Sequence, residues 1–239
     1  MLTPLHCIAL NTVKFNDRHN ILTVYSEEMG RVSLLISAGA SKNAKRVRAL
    51  TSPLSRFECI GTVLPNREII QVKDIKLQNT DLTIRTNPIK ITIALFTTEI
   101  LSLLLRETQQ DSRLFLFLSN AIDILEKDSE NISNYPIVFL YTLSVFLGIA
   151  PDPTSYHPQY YFDMVDGIFR PTPPLHRHFL SINDSMTLMT LNRISFRNYH
   201  KFKFTRKERN EILNFIISYY DLHYTSLSGL KSLDILRQL

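Results

Sequence analysis

The sequence has few of the residues from which common catalytic and metal sites are built. It contains two cysteines, Cys7 and Cys59, and six glycines in 239 residues. Two cysteines cannot form a zinc cluster by themselves and do not indicate a disulfide scaffold, so a reducing cytoplasm is favoured. The patterns GxxxxGK[ST], GxSxG and HExxH are absent. We therefore predict a protein that is not an enzyme and that needs no cofactor.

Long apolar runs are also scarce. The longest nearly uncharged run, residues 132–150, contains Asn134, Pro136 and Gly148. A bilayer span needs about 20 apolar residues, so this run is marginal and we interpret it as a buried helix. The first 17 residues lack the basic start and apolar stretch of a signal peptide. These features predict a protein with no membrane partner.

Positive charge is present in excess and is unevenly distributed. The net charge is +5, which favours an acidic partner such as nucleic acid. Between Met29 and Phe57 there is no Asp or Glu, and we interpret residues 42–48 within this stretch as a basic loop. Such a stretch should attract polyanions. The predicted DNA-binding residues are Arg31, Lys42, Lys45, Arg46, Arg48 and Arg56.

A second basic cluster lies between residues 193 and 209, where Glu208 is the only acidic residue. We predict that it binds DNA or an acidic protein segment. Aromatic residues interleave with the cations and could stack on bases, although such residues more often pack. The cations of this second basic cluster are Arg193, Arg197, Lys201, Lys203, Arg206, Lys207 and Arg209. The aromatic residues are Phe196, Tyr199, Phe202 and Phe204.

Alternating apolar residues predict five short strands in the first part of the chain. The second and third form a hairpin around Glu28-Met29-Gly30, and Pro65-Asn66-Arg67 predicts the turn of another hairpin. Five short strands suit a small Greek-key barrel, and periodicity alone does not separate an OB fold from an SH3-like barrel. The predicted strands are residues 5–15, 21–25, 32–36, 57–64 and 68–77.

The hydrophobic period becomes helical after Asn87-Pro88, which predicts a domain boundary between residues 79 and 80. Residues 183–191 are predicted to form a short helix begun by Asn183 or Asp184, and Thr205 with Glu208 predicts a capping box. A short ribbon is expected at residues 160–170. The other predicted helices are residues 91–106, 111–127, 135–149 and 205–222, with a short one after Gly229.

Three segments resemble the RecO family of bacterial recombination mediators. They are VYSEEMGRVSLLISAGASK from Val24, FLYTLSVFLGIAPD from Phe139 and LSGLKSLDILRQL from Leu227. The resemblance selects the OB fold. It implies an α+β protein with a five-stranded OB-fold barrel in residues 1–79 and an all-α helical domain in residues 80–239. A loop-rich insert is expected at about residues 151–182.

The resemblance implies that the protein binds single- and double-stranded DNA and anneals complementary strands. With RecR it would help to load RecA onto DNA coated by single-strand binding protein (SSB). It would act in the bacterial cytoplasm, associated with the nucleoid. We expect the acidic C-terminal tail of SSB to enter a groove between residues 139–148 and 212–220. Arg206, Lys207 and Arg209 would lie at the rim of that groove.

Many RecO relatives carry a four-cysteine zinc site in the insert, but this chain has no cysteine after Cys59. We therefore predict that it binds no stoichiometric zinc, while a site made from His157, His176, His178 and Asp163 stays open. Two other functions are also open. One is a metal-dependent nuclease or phosphodiesterase that uses Asp163, Asp166 and the histidines. The other is an adaptor that binds acidic protein segments and no DNA.

Overall fold

The structure, a computed structural model, describes residues 2–39, 41–64, 68–78, 83–105, 109–227 and 229–239. The chain divides into two compact units, Met1–Asp128 and Ser129–Leu239. The predicted domain boundary between residues 79 and 80 and the predicted turn at residues 65–67 lie outside the described residues. Within the described part of the chain, no helix has both the length and the apolar character needed to cross a membrane.

The first unit contains a closed barrel of five strands, as predicted. Its strands follow one another in the order β1-β2-β3-β5-β4, with β3 and β5 parallel and the other described pairs antiparallel. Gly30, with φ of 68°, ends the tight turn between β2 and β3 in the backbone region that glycine favours. The strands are β1 (Leu2–Lys14), β2 (His19–Ser26), β3 (Gly30–Ser37), β4 (Arg56–Thr62) and β5 (Ile69–Leu77).

Alternate side chains of the strands fill the barrel. Leu22 and Val24 from β2 meet Leu34 and Ile36 from β3 in this core, and all four are almost fully buried. Burying each such side chain contributes about 1.5–3 kcal/mol. A Cβ atom at Gly61 would lie 2.8 Å from side-chain atoms of Leu5 and Ile70, so this strand position requires glycine. Cys7 and Cys59 are free thiols buried in the same core, as predicted from their strand positions.

The basic segment after β3, predicted to be a loop, is instead a helix, α1 (Lys42–Leu50). The hydroxyl of Ser41 accepts a hydrogen bond from the backbone N–H of Ala44 at 3.1 Å and caps the first turn. Ala44 and Val47 are buried, so one side of α1 packs on the barrel. Lys42, Lys45 and Arg48 occupy the exposed side. The sequence does carry a helix signal here, namely a capping serine followed by apolar residues three positions apart. The acid-free composition of the segment obscured this signal.

Three more helices complete the described part of the first unit: α2 (Thr83–Thr86), α3 (Pro88–Leu104) and α4 (Ser112–Lys127). Helix α3 starts earlier than predicted because the side chain of Asn87 caps it and Pro88 fits its first turn. It packs against β1. The Arg56 side chain forms an ion pair with Asp123 of α4, and Arg85 Nη2 donates to Ser55 Oγ at 2.8 Å. The barrel is therefore bonded to the helices that follow it.

The second unit combines helices with a small sheet. The ribbon predicted at residues 160–170 is present, and a third strand extends it to the order β7-β6-β8. Ser181, and not Asn183 or Asp184, caps α6, while the capping box of Thr205 and Glu208 begins α7 as predicted. The elements are α5 (Tyr135–Phe146), β6 (Tyr161–Asp163), β7 (Ile168–Arg170), β8 (Phe179–Leu180), α6 (Ile182–Leu191), α7 (Arg206–His223) and α8 (Leu233–Leu236).

The turn between β2 and β3 is joined to β1 through His6. Its Nδ1 atom lies 2.5 Å from Glu28 Oε1, and this hydrogen bond is the main reason that the pKa of His6 is raised above its ordinary value of 6.5. Glu27 Oε2 is farther away, at 3.9 Å. Because the pKa of His6 is raised in the folded state, the protonated ring bound to Glu28 stabilises the fold, and this stabilisation is complete below the pKa of His6 in the unfolded state. It is lost as the pH rises through the folded-state pKa.

We expect Glu28→Gln to lower the pKa of His6 towards its ordinary value, because it removes the charged acceptor of the close hydrogen bond. Glu27→Gln, a matched change in the same turn, should lower it less because Glu27 is the more distant carboxylate. NMR titration of the His6 ring measures both values. Equal decreases in the two variants would contradict the assignment of the raised pKa to Glu28.

Candidate nucleic-acid interface

Helix α1 presents three exposed cations whose positions are described: Lys42, Lys45 and Arg48. Arg48 Nη2 donates to the carbonyl of Gly39 at 3.2 Å, which fixes the guanidinium beside the start of the helix. Within the described part of the chain, neither lysine forms a salt bridge. The side chain of Arg46 lies outside that part. Helix α1 thus carries positive charge on the side that faces away from the barrel.

Strand β5 adds two cations that the sequence analysis missed, Lys73 and Lys76, both exposed. They come near α1 because β5 pairs in parallel with β3, the strand that leads into this helix. Acids are present as well: Asp74 lies between the two lysines, and Glu58 is opposite Lys76 in the β4–β5 ladder. In a strand that alternates polar and apolar residues, lysines commonly point into solvent, so the sequence does not single out these two. Their approach to α1 is seen only once the barrel is closed.

A groove lies between α1 and the strands. The hydrogen-bonded ladder between β3 and β5 covers only Ser33–Leu35 and Ile69–Gln71. Beyond these residues the two strands are no longer paired, and α1 contacts both of them. The groove has a volume of about 650 Å³. It is lined by apolar side chains of Leu35, Val47, Leu50 and Ile75 and by polar side chains of His19, Ser37, Gln71, Lys73, Asp74 and Lys76.

A β-bulge shapes one wall of this groove. Cys59 of β4 lies opposite both Asp74 and Ile75 of β5, because the register shifts between Glu58 and Ile60. Asp74 adopts φ of 52°, a left-handed conformation that Asp tolerates better than most residues. Bulges bend a strand and redirect its side chains, and they are frequent next to binding sites. Here the bulge lies at the position where Asp74 and the lysines beside it line the groove.

The two remaining cations of the predicted DNA-binding set lie elsewhere on the barrel. Arg31 is half-buried opposite Tyr25 in the β2–β3 ladder. The Arg56 side chain is 12% exposed, forms an ion pair with Asp123 and donates to the carbonyl of Ser119 at 3.3 Å. Because Asp123 offsets its charge, we leave Arg56 out of the candidate interface. This interface comprises the α1 cations, Lys73, Lys76 and the groove.

The second basic cluster separates into two groups. Arg206 Nε donates to the carbonyl of Arg237, and Arg209 donates to the carbonyl oxygens of Phe204 and Leu239, each at 2.7 Å. Burial, with the nearby charge of Arg206, lowers the pKa of Arg209. Lys207 lies 3.8 Å from Glu211. The first group therefore holds the end of the chain and helix α7. The second group is exposed and consists of Arg193, Arg197, Lys201 and Lys203.

Two aromatic residues of this cluster pack inside the second unit. Tyr199 is fully buried, and Phe196 lies 5.6 Å from the ring of Tyr135. The side-chain amide of Asn134 donates to the carbonyl oxygens of Tyr199 and Phe202 at 3.1 and 2.7 Å. Asn134 thus holds the connection between α6 and α7, a role with no signal in the sequence. Tyr199 and Phe196 are packing residues.

The expected groove between α5 and α7 is not open along the described residues of these helices. Tyr220 Oη donates to the carbonyl of Leu140 at 2.8 Å, and the cavity beside this bond has a volume of about 10 Å³. A larger groove, of about 480 Å³, lies between α6 and α7. Carboxylates of Asp184, Glu208 and Glu211 line it, so an acidic peptide would be repelled there.

The histidines of the insert are not gathered around Asp163. His176 Nε2 lies 3.3 Å from Asp163 Oδ1, but His157 Nδ1 lies 2.7 Å from the carbonyl of Pro158. The rings of His176 and His178 are 6.2 Å apart. Among the residues that the structure describes, the only group of three close metal-binding side chains is His6, Glu27 and Glu28 at the β2–β3 turn.

Asp163 has a structural role. Its Oδ1 atom accepts from the backbone N–H groups of Val165 and Asp166, and its Oδ2 atom accepts from Arg170 Nε at 2.9 Å. Burial alone would raise the pKa of Asp163, but these hydrogen bonds lower it overall. Arg170 also pairs with Asp166. The two carboxylates proposed for a nuclease, Asp163 and Asp166, are therefore bonded to groups of the β6–β7 ribbon and its turn.

Comparison with known proteins gives the same family along most of the chain. Residues 1–80 match the family model described as Recombination protein O N terminal, and residues 85–157 match Recombination protein O C terminal. The chain is 36% identical to the DNA repair protein RecO of Azobacteroides pseudotrichonymphae genomovar. CFP2, over 99% of this chain and 98% of that protein. It is 34% identical to the DNA repair protein RecO of Phocaeicola vulgatus, over 100% of this chain and 99% of that protein.

Proposed function

The chain belongs to the RecO family of DNA repair proteins, and on this premise we propose that it binds DNA and anneals complementary strands. Its role lies in DNA repair and recombination. The observation that carries the proposal is the cationic surface of α1 and β5 beside a groove in an OB-fold barrel. OB folds bind oligonucleotides on the strand 2–3 face and in adjoining loops. Cations that follow the backbone supply most of the affinity in such sites.

Annealing follows from charge neutralisation. Two complementary strands repel each other through their phosphates, and lysine and arginine side chains reduce this repulsion when each strand is bound. The first unit offers the α1 and β5 cations, and the second unit offers the exposed Arg193, Arg197, Lys201 and Lys203. Strand pairing on such surfaces requires no nucleotide hydrolysis and no metal ion. We therefore propose a mediator that is not an enzyme and uses no cofactor.

The proposed protein partners are RecR, RecA and SSB. With RecR, the protein would help to load RecA onto single-stranded DNA coated by SSB in the bacterial cytoplasm, close to the nucleoid. The acidic SSB tail would be attracted by the exposed cations Arg193, Arg197, Lys201 and Lys203. These four cations are favoured over Arg206 and Arg209 as the site for the tail, because Arg206 and Arg209 already donate hydrogen bonds to backbone carbonyl groups. Exposed cations mainly accelerate encounter, and salt screens their effect.

A strand-annealing assay tests this proposal. Complementary oligonucleotides coated with SSB are mixed with the protein, without nucleotide and with a chelator present. We expect annealing to be faster than with SSB alone and to slow as salt is raised, because the phosphate contacts are screened. DNA cleavage that requires added metal would support the nuclease alternative instead. Failure to bind either form of DNA at low salt would support the adaptor.

A further inference from the structure

We propose that the groove between α6 and α7 is the docking site for an amphipathic helix of a partner protein, with apolar residues along one side and basic residues beside them. This inference is independent of the proposed DNA binding, because the groove and nucleic acid carry charge of the same sign. The groove has a volume of about 480 Å³, which lies within the range of well-formed ligand pockets.

The floor of the groove is apolar. Leu188 of α6 and Ile212 of α7 line it and are almost fully buried. Phe204 and Phe215 also line it but are only half-buried, so they offer ring surface to a partner. The Phe215 ring packs edge-on against Phe162 at 6.2 Å, which helps to hold it in place. Apolar side chains of a partner would gain stability by covering this surface.

The rim of the groove is acidic. Asp184, Glu208 and Glu211 are exposed, and none of the described lining residues is a lysine or an arginine. Lys207, 3.8 Å from Glu211, offsets part of this charge. Hydrogen bonds from the backbone N–H and the hydroxyl of Thr205 lower the pKa of Glu208, which keeps this carboxylate ionised at neutral pH. The complementary partner therefore carries basic side chains beside its apolar ones.

The surroundings of the groove favour a helix over an extended peptide. Along the described part of the groove, a strand could be added only at β8, which lies at one edge of the small sheet. Strand β8 has two residues, too few to hold an extended peptide by main-chain pairing. Two helices flank the groove, and an amphipathic helix occupies such a site through apolar residues at i, i+3, i+4 and i+7.

The overall charge of the protein makes binding of a basic helix diagnostic. The net charge is +5, so most of the surface repels a basic peptide. The cations of α1 and of the second basic cluster add to this repulsion. A basic peptide that binds must therefore find a local acidic site, and the groove between α6 and α7 combines such a site with an apolar floor.

The test uses a labelled synthetic peptide of about 16 residues, or four helical turns, with a row of leucines flanked by lysines. A matched peptide has glutamate in place of each lysine. Thr187→Arg places a positive charge in the groove, whereas Met186→Arg places the same charge on the neighbouring exposed residue of α6, outside the lining. Arginine favours helix, so both variants should fold, and circular dichroism verifies this. Fluorescence anisotropy measures the affinities.

We expect the lysine peptide to bind the wild-type protein at least about tenfold more tightly than the glutamate peptide. Thr187→Arg should weaken binding of the lysine peptide about tenfold, and Met186→Arg less than about twofold. Equal affinities for the two peptides, binding of neither, or equal effects of the two variants would overturn the inference. A wild-type dimer that Thr187→Arg alone converts to a monomer in sedimentation would assign the groove to a second copy of this chain and would also overturn it.

Discussion

Replacing Lys42, Lys45, Arg46 and Arg48 by alanine is expected to weaken binding of single-stranded DNA by about 10²–10³-fold at 0.1 M salt. Each phosphate contact contributes about 0.7 to the slope of log K against log salt, so four contacts contribute about 2.8. The slope should decrease by that amount in the variant. Fluorescence anisotropy at several salt concentrations gives both quantities. Alanine favours helix, so α1 should remain folded.

The matched control changes four cations of the second unit, Arg193, Arg197, Lys201 and Lys203, to alanine. If α1 is the main site, this control should retain most of the affinity and most of the salt slope. The opposite result, an unchanged slope in the α1 variant and a large decrease in the control, would move the DNA site to the second unit. The two variants lose the same number of charges, so net charge cannot explain a difference between them.

The second large effect concerns stability. Phe162→Ala is expected to destabilise the second unit by about 3–5 kcal/mol, the usual cost of truncating a fully buried aromatic side chain. Phe162 is fully buried, and its ring lies 4.9 Å from Phe169 and 5.8 Å from Tyr219. The change would remove the packing of the small sheet on α7 through the Phe162 ring. Urea denaturation measures the free energy of unfolding.

Leu175→Ala is the control from the same insert, because Leu175 is fully exposed and its truncation should change stability by less than about 0.5 kcal/mol. A chelator should leave the melting temperature unchanged, since we predict no stoichiometric zinc. Elemental analysis measures zinc directly. Similar losses for Phe162→Ala and Leu175→Ala would contradict the packing role of Phe162. One zinc per chain, lost when His176 and His178 are changed, would show that the insert binds metal.

The barrel was predictable because local patterns determine it. Period-two alternation and the Glu28-Met29-Gly30 turn define a hairpin whose inward and outward faces cannot be exchanged without burying polar groups. The capping box at Thr205 was equally local. Helix α1 was missed because its composition is polar and basic, and only Ser41, Ala44 and Val47 mark it. Strand β8 has two residues, Phe179 and Leu180, too few for any periodicity.

The candidate interface was less predictable because distant parts of the chain form it. The cations of α1 were visible in the sequence as an acid-free run, but Lys73 and Lys76 join them only through the parallel β3–β5 pairing. Arg56 shows the converse case. It belongs to the same run, yet Asp123, 67 positions later, pairs with its side chain. Sequence identifies which residues carry charge, whereas the fold determines which charges are already compensated.

The bonds between the barrel and α4 also affect how the protein emerges during synthesis. Tyr25 Oη donates to the carbonyl of Gln109 at 3.5 Å, and Arg56 pairs with Asp123. A nascent chain that has released only the five strands has neither partner for these side chains. The barrel then exposes a large aromatic ring and an uncompensated guanidinium. We therefore expect the barrel to complete these contacts only after α4 has left the ribosome.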